Sequence, residues 1–248
     1  IRLLDHVNAL LGWDQNTYMP EAAVTERAEQ LSLIQGLVHE RISSDEIGKI
    51  LEEVGASEEQ PRGDSGLSEA DQAFVRVLFR EYNRNAKLPN DLVRKIAEKT
   101  TLAHNAWVKA RKESDFSKFT PNLKEIVDLL LEVSDRLGFT DHPYDPLLDE
   151  YEPWMKTAKV KEVFSRLREE LVPLTEKIKA AEAPDDSVLH GNFPVDAQER
   201  FGLMVLEKMG YDFSRGRLDK TVHPFTTGLG QDDVRVTSRY SEDFFNPG

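Results

Sequence analysis

Late in the chain, Asp233, Arg235 and Thr237 occupy every second position of the run DDVRVTSRY, and His223-Pro224-Phe225 lies just upstream. In an extended strand, alternate side chains share a face. A carboxylate, a guanidinium and a hydroxyl therefore line up on one side, with Val234, Val236, Ser238 and Tyr240 on the other. Such a polar face has two uses. It can be a solvated edge whose charges discourage aggregation, or it can line a cleft where an extended peptide pairs with the strand. In the cleft, Arg235 or Arg239 faces a carboxylate or pairs with Asp233 to hold the strand. His223 reads equally as a hydrogen-bonded structural residue or as a group at that cleft. Pro224 cannot donate to a ladder and belongs at a strand end or edge. The segment GRLDKTVHPF is expected to be the partner strand, with TTGLGQD as the connection.

Other chemistry is sparse. His39-Glu40 is followed by Arg41, Ile42 and Ser43, so the second histidine of an HExxH zinc motif is missing. The 6 histidines are scattered with no pair four residues apart, and GxSxG, P-loop and GxGxxG signatures are absent. With no cysteine, thiol catalysis, disulfides and cysteine-held zinc are excluded, which suits a reducing cytoplasm. A net charge of -13 argues against nucleic acid and anionic membrane surfaces as partners. Acidic pairs such as Glu58-Glu59 and Asp185-Asp186 read as solvated loops. No apolar run approaches the ~20 residues of a membrane span, and no signal peptide is visible.

The elements that must position the polar strand are mostly helices. Leu31, Ile34, Val38 and Ile42 recur at helical spacing, predicting a helix from about Glu21 to Arg41 behind Pro20. Ser43 or Ser44 is expected to cap a short helix through Leu51. Ser68 and Asp71 resemble a capping box for a helix with Phe74, Val77, Leu78 and Tyr82 on its apolar face. Pro89 opens a helix to about Lys112, and another runs through Leu123 and Leu130 to Gly138. FTDHPYDPLLDEYEPWM predicts a long irregular connection. Val160, Val163, Phe164, Leu167, Leu171 and Leu174 form the cleanest apolar stripe, and a last helix spans about Val195 to Met209 before Gly210. Trp13, Trp107 and Trp154 are expected to be packing residues. The opening IRLLDHVNALLGWD is already in helical period and reads as a helix that starts upstream. The predicted fold class is mostly α: an irregular antiparallel helical array in a single domain over 1–248, helical to about 210, with a small β-hairpin or sheet at about 215–242.

Several segments resemble the carboxypeptidase Taq family of metallocarboxypeptidases. LLGWDQNTYMP is similar to the family's WDQxTxMP segment, YDPLLDEYEPWM to its YDxLLDxYEPGM loop, His223-Pro224-Phe225 to HPF, and Asp233, Arg235 and Thr237 to DxRxT. Trp154 stands where that loop usually has glycine. The resemblance implies a helical, saddle-shaped fold with a deep groove, usually homodimeric, that releases C-terminal residues from peptides with broad specificity. It also implies zinc or cobalt held by an HExxH helix and a later glutamate, with the HExxH glutamate as general base. That helix begins shortly after the segment matching RYSEDFF, so this chain is expected to stop short of it. By that reading the chain holds no catalytic residue and no metal ligand. His223, Arg235 and Thr237 would then face substrate, Pro224, Phe225 and Asp233 would build the motif, and the chain would self-associate. The alternative is a non-catalytic helical module that binds peptide or acts as a scaffold.

Overall fold

The computed structural model describes residues 1–245 and is mostly helical with one small sheet. Two compact units emerge, one of Ile1–Gln15 with Met19–Pro143, the other of Asn16–Tyr18 with Tyr144 onward.

The first unit holds α1 (Arg2–Thr17) up to Gln15, together with α2 (Val24–Ile42), α3 (Asp45–Glu53), α4 (Glu69–Ala86), α5 (Asn90–Lys112) and α6 (Thr120–Leu137). Their ends follow from local chemistry. Ser44 and Ser68 cap α3 and α4, accepting hydrogen bonds from the backbone N–H groups of Ile47 and Asp71. Gly138, which ends α6, has φ +80, a backbone angle that costs a side-chain-bearing residue far more than glycine. Helix α2 packs on α5, and α5 on α6. Buried Leu51, Ala56 and Val75 form a small core with Ile47, Val54, Leu67 and Leu78 around it. Arg27 fastens α2 to α1, donating to the Leu11 carbonyl at 2.5 Å and to Asp14 at 2.6 Å. Buried His39 lies 2.9 Å from the Asn85 carbonyl and 3.4 Å from the Asn90 side chain, a structural setting.

The second unit holds the one-turn α7 (Asp145–Leu148), α8 (Thr157–Ala180), α9 (Val195–Lys208) and strands β1 (Gly216–Lys220), β2 (Thr226–Gly230) and β3 (Asp233–Ser238). The strand order is β1-β3-β2, with β3 parallel to β1 and antiparallel to β2. The expected small sheet is present, but its wiring is corrected: β1 pairs with β3 in parallel, and the hairpin is formed by β2 and β3. TTGLG is an edge strand rather than the connection, and only Gln231 and Asp232 turn the chain from β2 into β3. Gly228 and Gly230 suggest a loop by composition, yet they sit at an irregularity in the β2–β3 register, where an edge strand tolerates missing side chains. His223-Pro224-Phe225 lies between β1 and β2, outside the strands.

The connection before α8 is held by two carboxylates. Asp145, buried at the start of α7, accepts from the Thr157 backbone N–H at 2.8 Å and the Thr157 hydroxyl at 2.6 Å, and so caps α8 from outside it. Asp149 accepts from the Trp154 backbone N–H at 2.6 Å. Trp154 has φ +67 and is 68% exposed, so it is not the packing residue its type suggests. A residue with a Cβ pays roughly 1–2 kcal/mol for the left-handed region, partly offset in glycine by the entropy of its unfolded chain. Trp154→Gly is expected to leave stability unchanged or raise it by up to about 1 kcal/mol, read as an upward shift of the urea midpoint. A clear loss of stability would mean that the indole contributes contacts outweighing the strain. Among the described residues, no helix is long and apolar enough to cross a membrane.

Candidate functional site

Asp233, Arg235 and Thr237 share one face of the sheet, while His223, Pro224 and Phe225 lie on the turn between β1 and β2. Register pairs Arg217 with Arg235 and Asp219 with Thr237 across β1 and β3, and Thr227 with Arg235 across β2 and β3. Cross-strand partners point the same way, so these side chains share a face. Two acid–guanidinium pairs result, running in opposite order: Arg217-x-Asp219 on β1 and Asp233-x-Arg235 on β3.

The β1 pair is the more buried. The Asp219 side chain is only 2% exposed. It accepts from Arg217 Nε at 2.8 Å and Nη2 at 2.7 Å, and from the Tyr18 hydroxyl at 2.5 Å. Arg217 also sits over the Tyr18 ring, 5.2 Å from its centre. The hydrogen bond to Asp219 raises the Tyr18 phenol above its ordinary pKa, because ionising the phenol would destroy that bond. Nearby, Thr221 donates to the Asn16 carbonyl at 2.9 Å. Residues 16–18 are thereby stitched to β1.

In the β3 pair, Arg235 donates to Asp233 through Nε and, at 2.7 Å, through Nη2. This pairing lowers the Asp233 pKa. The Arg235 side chain is 17% exposed and that of Asp233 39%, between the buried and solvated extremes. Breaking a buried pair costs about 3–5 kcal/mol and an exposed one is worth roughly 0–1. Arg235→Ala is expected to cost about 1–2 kcal/mol, measured as a lowered urea midpoint. An unchanged midpoint would return this face to a solvated edge.

Thr237 is buried, and its hydroxyl is committed on both sides. It accepts from the Phe225 N–H at 2.7 Å and donates to the Phe225 carbonyl at 2.8 Å. A backbone bond from Thr237 N–H to the same carbonyl, at 3.0 Å, completes the lock. His223 and Pro224 are exposed on the turn this lock holds. At the other end of the sheet the Tyr211 hydroxyl donates to the Val234 carbonyl at 2.5 Å. It passes so close to Gly216 that a Cβ there would lie 2.2 Å from it. The opposite sheet face is apolar, with Leu218 and Val236 lining a cavity shared with Phe201, Val205 and Leu206 of α9.

Tyr18, Arg217 and Asp219 were not singled out in the sequence. A usable signal was present, since Arg217-x-Asp219 mirrors Asp233-x-Arg235 at the same period of two. The contact with Tyr18, about two hundred residues away, has no local signature.

Chemically, this face can bind and position. Each guanidinium has its own carboxylate, so it offers directed hydrogen-bond donors without a large net charge. Among the described residues, no three His, Cys, Asp or Glu side chains cluster closely enough to hold a metal ion.

The family model for the carboxypeptidase Taq (M32) metallopeptidases matches residues 1–247. The chain belongs to this family. Thermostable carboxypeptidase 1 of Thermus thermophilus, an M32 relative, is 38% identical over 255 aligned residues, covering 99% of this chain and 49% of that protein. Carboxypeptidase 1 of Bacillus subtilis is 34% identical over 96% of this chain and 46% of its own length. Among solved structures, the BsuCP crystal structure superposes with a TM-score of 0.89 at 33% identity, covering 98% of this chain and 48% of that one. The M32 carboxypeptidase of Deinococcus radiodurans R1 gives 0.77 at 35% identity, over 99% and 48%. The chain thus spans about half the length of the M32 relatives it matches, in sequence and in structure. Within it, the two M32-like motifs HPF and DxRxT are joined directly, through Phe225 and Thr237.

Proposed function

We propose that this chain supplies the N-terminal half of a metal-dependent carboxypeptidase that releases C-terminal residues from peptides with broad specificity. The observation that carries the reading is the M32 match over residues 1–247, with HPF and DxRxT locked together on one polar sheet face. In this role the sheet forms part of the substrate-side wall. His223 and Arg235 face the peptide. Thr237 acts on it through the HPF turn, since both hydrogen-bonding directions of its hydroxyl are taken by Phe225. Pro224, Phe225 and Asp233 shape the motif. The chain's own residues orient a peptide and exclude water from one side of it.

Zinc or cobalt is the metal the family implies, and it would supply an activated water. The described residues do not fit it, because they hold no donor cluster. In this role the described residues bind and orient the peptide, and the metal's chemistry belongs to residues outside them. A cytoplasmic setting fits a chain without cysteine, and a homodimer is the expected assembly.

The purified, chelator-washed 248-residue chain is expected to retain well under one equivalent of zinc or cobalt. It is also expected to release no amino acid from a blocked dipeptide above background, with or without added metal. Metal-dependent release of a C-terminal residue by this chain would place the chemistry inside it and overturn the division of labour proposed here.

A further inference from the structure

Arg217 on β1 stands directly opposite Arg235 on β3. Like charges at facing positions of a sheet destabilise it, yet both arginines are fixed in place. Arg217 donates to Asp219 through Nε and Nη2, donates to the Tyr18 hydroxyl at 2.8 Å and lies over the Tyr18 ring. Its side chain is still 49% exposed. It is thus held from one side and open on the other. Arg235 is gripped by Asp233, also through Nε and Nη2. That bond keeps Arg235 charged against burial and against the facing charge of Arg217. The two carboxylates lie at opposite ends of the arginine pair. Asp219 comes two residues after Arg217 and faces Thr237, whereas Asp233 comes two residues before Arg235. Neither occupies the row that the guanidiniums share.

A third cation completes the setting. Arg215, just ahead of β1, donates to the Gln231 carbonyl at 3.3 Å and pairs with Asp232. Arg215, Arg217 and Arg235 line one open polar pocket with Asp232 and Asp233, at the end of the sheet where β1 and β3 begin.

We propose that this pocket is a subsite for the side-chain carboxylate of an aspartate or glutamate in the bound peptide, received between Arg217 and Arg235 with Arg215 at the rim. A carboxylate has two acceptor oxygens and can take bonds from two guanidiniums at once. Facing strands lie about 4.8 Å apart, a span within reach of one carboxylate held by two long side chains. Such a ligand relieves the repulsion between the facing arginines, so the sheet is stabilised by the group it selects. Spacing favours a side chain. The arginine row lies one two-residue step, about 7 Å, from the row where Thr237 locks the HPF turn. An extended peptide has the same rise, so its alternate side chains fall over successive rows. Three guanidiniums also repel a lysine or arginine at that position, which adds selection against the wrong residue. The inference rests on the reading of this face as a peptide-binding wall, and it does not depend on turnover.

Nuclear magnetic resonance titration of the 248-residue chain, labelled with 15N in its arginines, tests it directly. The probes are acetyl-Ala-Glu-Ala-amide, acetyl-Ala-Gln-Ala-amide and acetyl-Ala-Ala-Ala with a free C-terminus. The Nε–H signals of Arg217 and Arg235 are expected to shift with the glutamate peptide, which should bind about tenfold more tightly than the glutamine peptide. Arg217→Lys keeps a cation for Asp219 but lacks the planar fork, and should cut that preference to about threefold or less. Arg215→Gln changes only an exposed pair, so it should fold normally and weaken the glutamate peptide by about threefold. Equal affinity for the glutamate and glutamine peptides would overturn the subsite and leave the peptide wall standing. Tighter binding of the free-terminus peptide would hand the pocket to the C-terminal carboxylate and overturn the proposal too. A glutamate preference unchanged in Arg217→Lys would place the carboxylate elsewhere. Shifts from none of the three peptides would remove the wall and the subsite with it. Glutamate-selective binding by this chain, with no peptidase activity once the second half is supplied, would keep the subsite and sink only the functional proposal.

Discussion

Asp219→Ala is expected to destabilise the sheet by about 3 kcal/mol, the largest effect of any single substitution in its polar face. The carboxylate is almost wholly buried and accepts charge-assisted bonds from Arg217 as well as the Tyr18 hydroxyl bond. Removing it strands two donors at once. Arg217 is 49% exposed and can turn toward water, which keeps the cost at the lower end of the range for a broken buried pair. Tyr18, itself 58% exposed, can likewise turn its hydroxyl to water. Tyr18→Phe should therefore cost only about 1 kcal/mol, the net worth of one hydrogen bond. Hydrogen exchange localises the outcome. The amides of β1 and β3 should lose protection in Asp219→Ala while those of α2 and α5 do not. If Asp219→Ala and Tyr18→Phe proved equally mild, the network would be a surface contact rather than an anchor.

Asp145→Ala is expected to cost about 2 kcal/mol, by a different route. Here the buried carboxylate caps α8 through Thr157, and its second oxygen faces Lys156 Nζ at 3.4 Å. Bonds from the Thr157 hydroxyl and N–H, in that order, hold the Asp145 carboxyl below its ordinary pKa against the opposing push of burial. A carboxylate with a lowered folded pKa stabilises fully above its unfolded value near 4, and that stability is lost as pH falls through the folded value. Acid titration of the wild type should thus show α8 losing its start below about pH 4, followed by amide exchange at residues 157–160. In Asp145→Asn, whose amide oxygen still accepts one bond but does not titrate, that acid dependence should flatten. An unaltered acid limb in Asp145→Asn would assign it to other carboxylates.

The helices were legible because their signals are local. Ser44, Ser68, Pro89 and Gly138 each sit where capping chemistry places them, and the apolar period fixed which residues lie between. The sheet was legible only in part. Alternation correctly put Asp233, Arg235 and Thr237 on one face, but strand order depends on contacts that no short window contains. A glycine-containing edge strand and a glycine turn look alike in composition, so TTGLG was misread. The apolar stripe of α8 was legible from its spacing, yet periodicity says that a face is apolar, not what covers it. The same limit hid the clamp between Tyr18 and Asp219, where each partner alone is an unremarkable polar residue.

The strand order has a consequence for chain growth. β3 is the central strand and the last of the three to be made, and β1 and β2 pair with it but not with each other. A nascent chain that has reached Gly230 therefore holds two extended segments with no ladder between them. Both must wait until Ser238 clears the ribosome, and then the Gln231–Asp232 turn can fold β3 back onto β2 while its free edge captures β1. During that interval the backbone donors of both segments are open to proteases and to any other strand. A pause in translation just before Asp233 would lengthen that exposure, whereas one placed well after Ser238 would allow the sheet to close first.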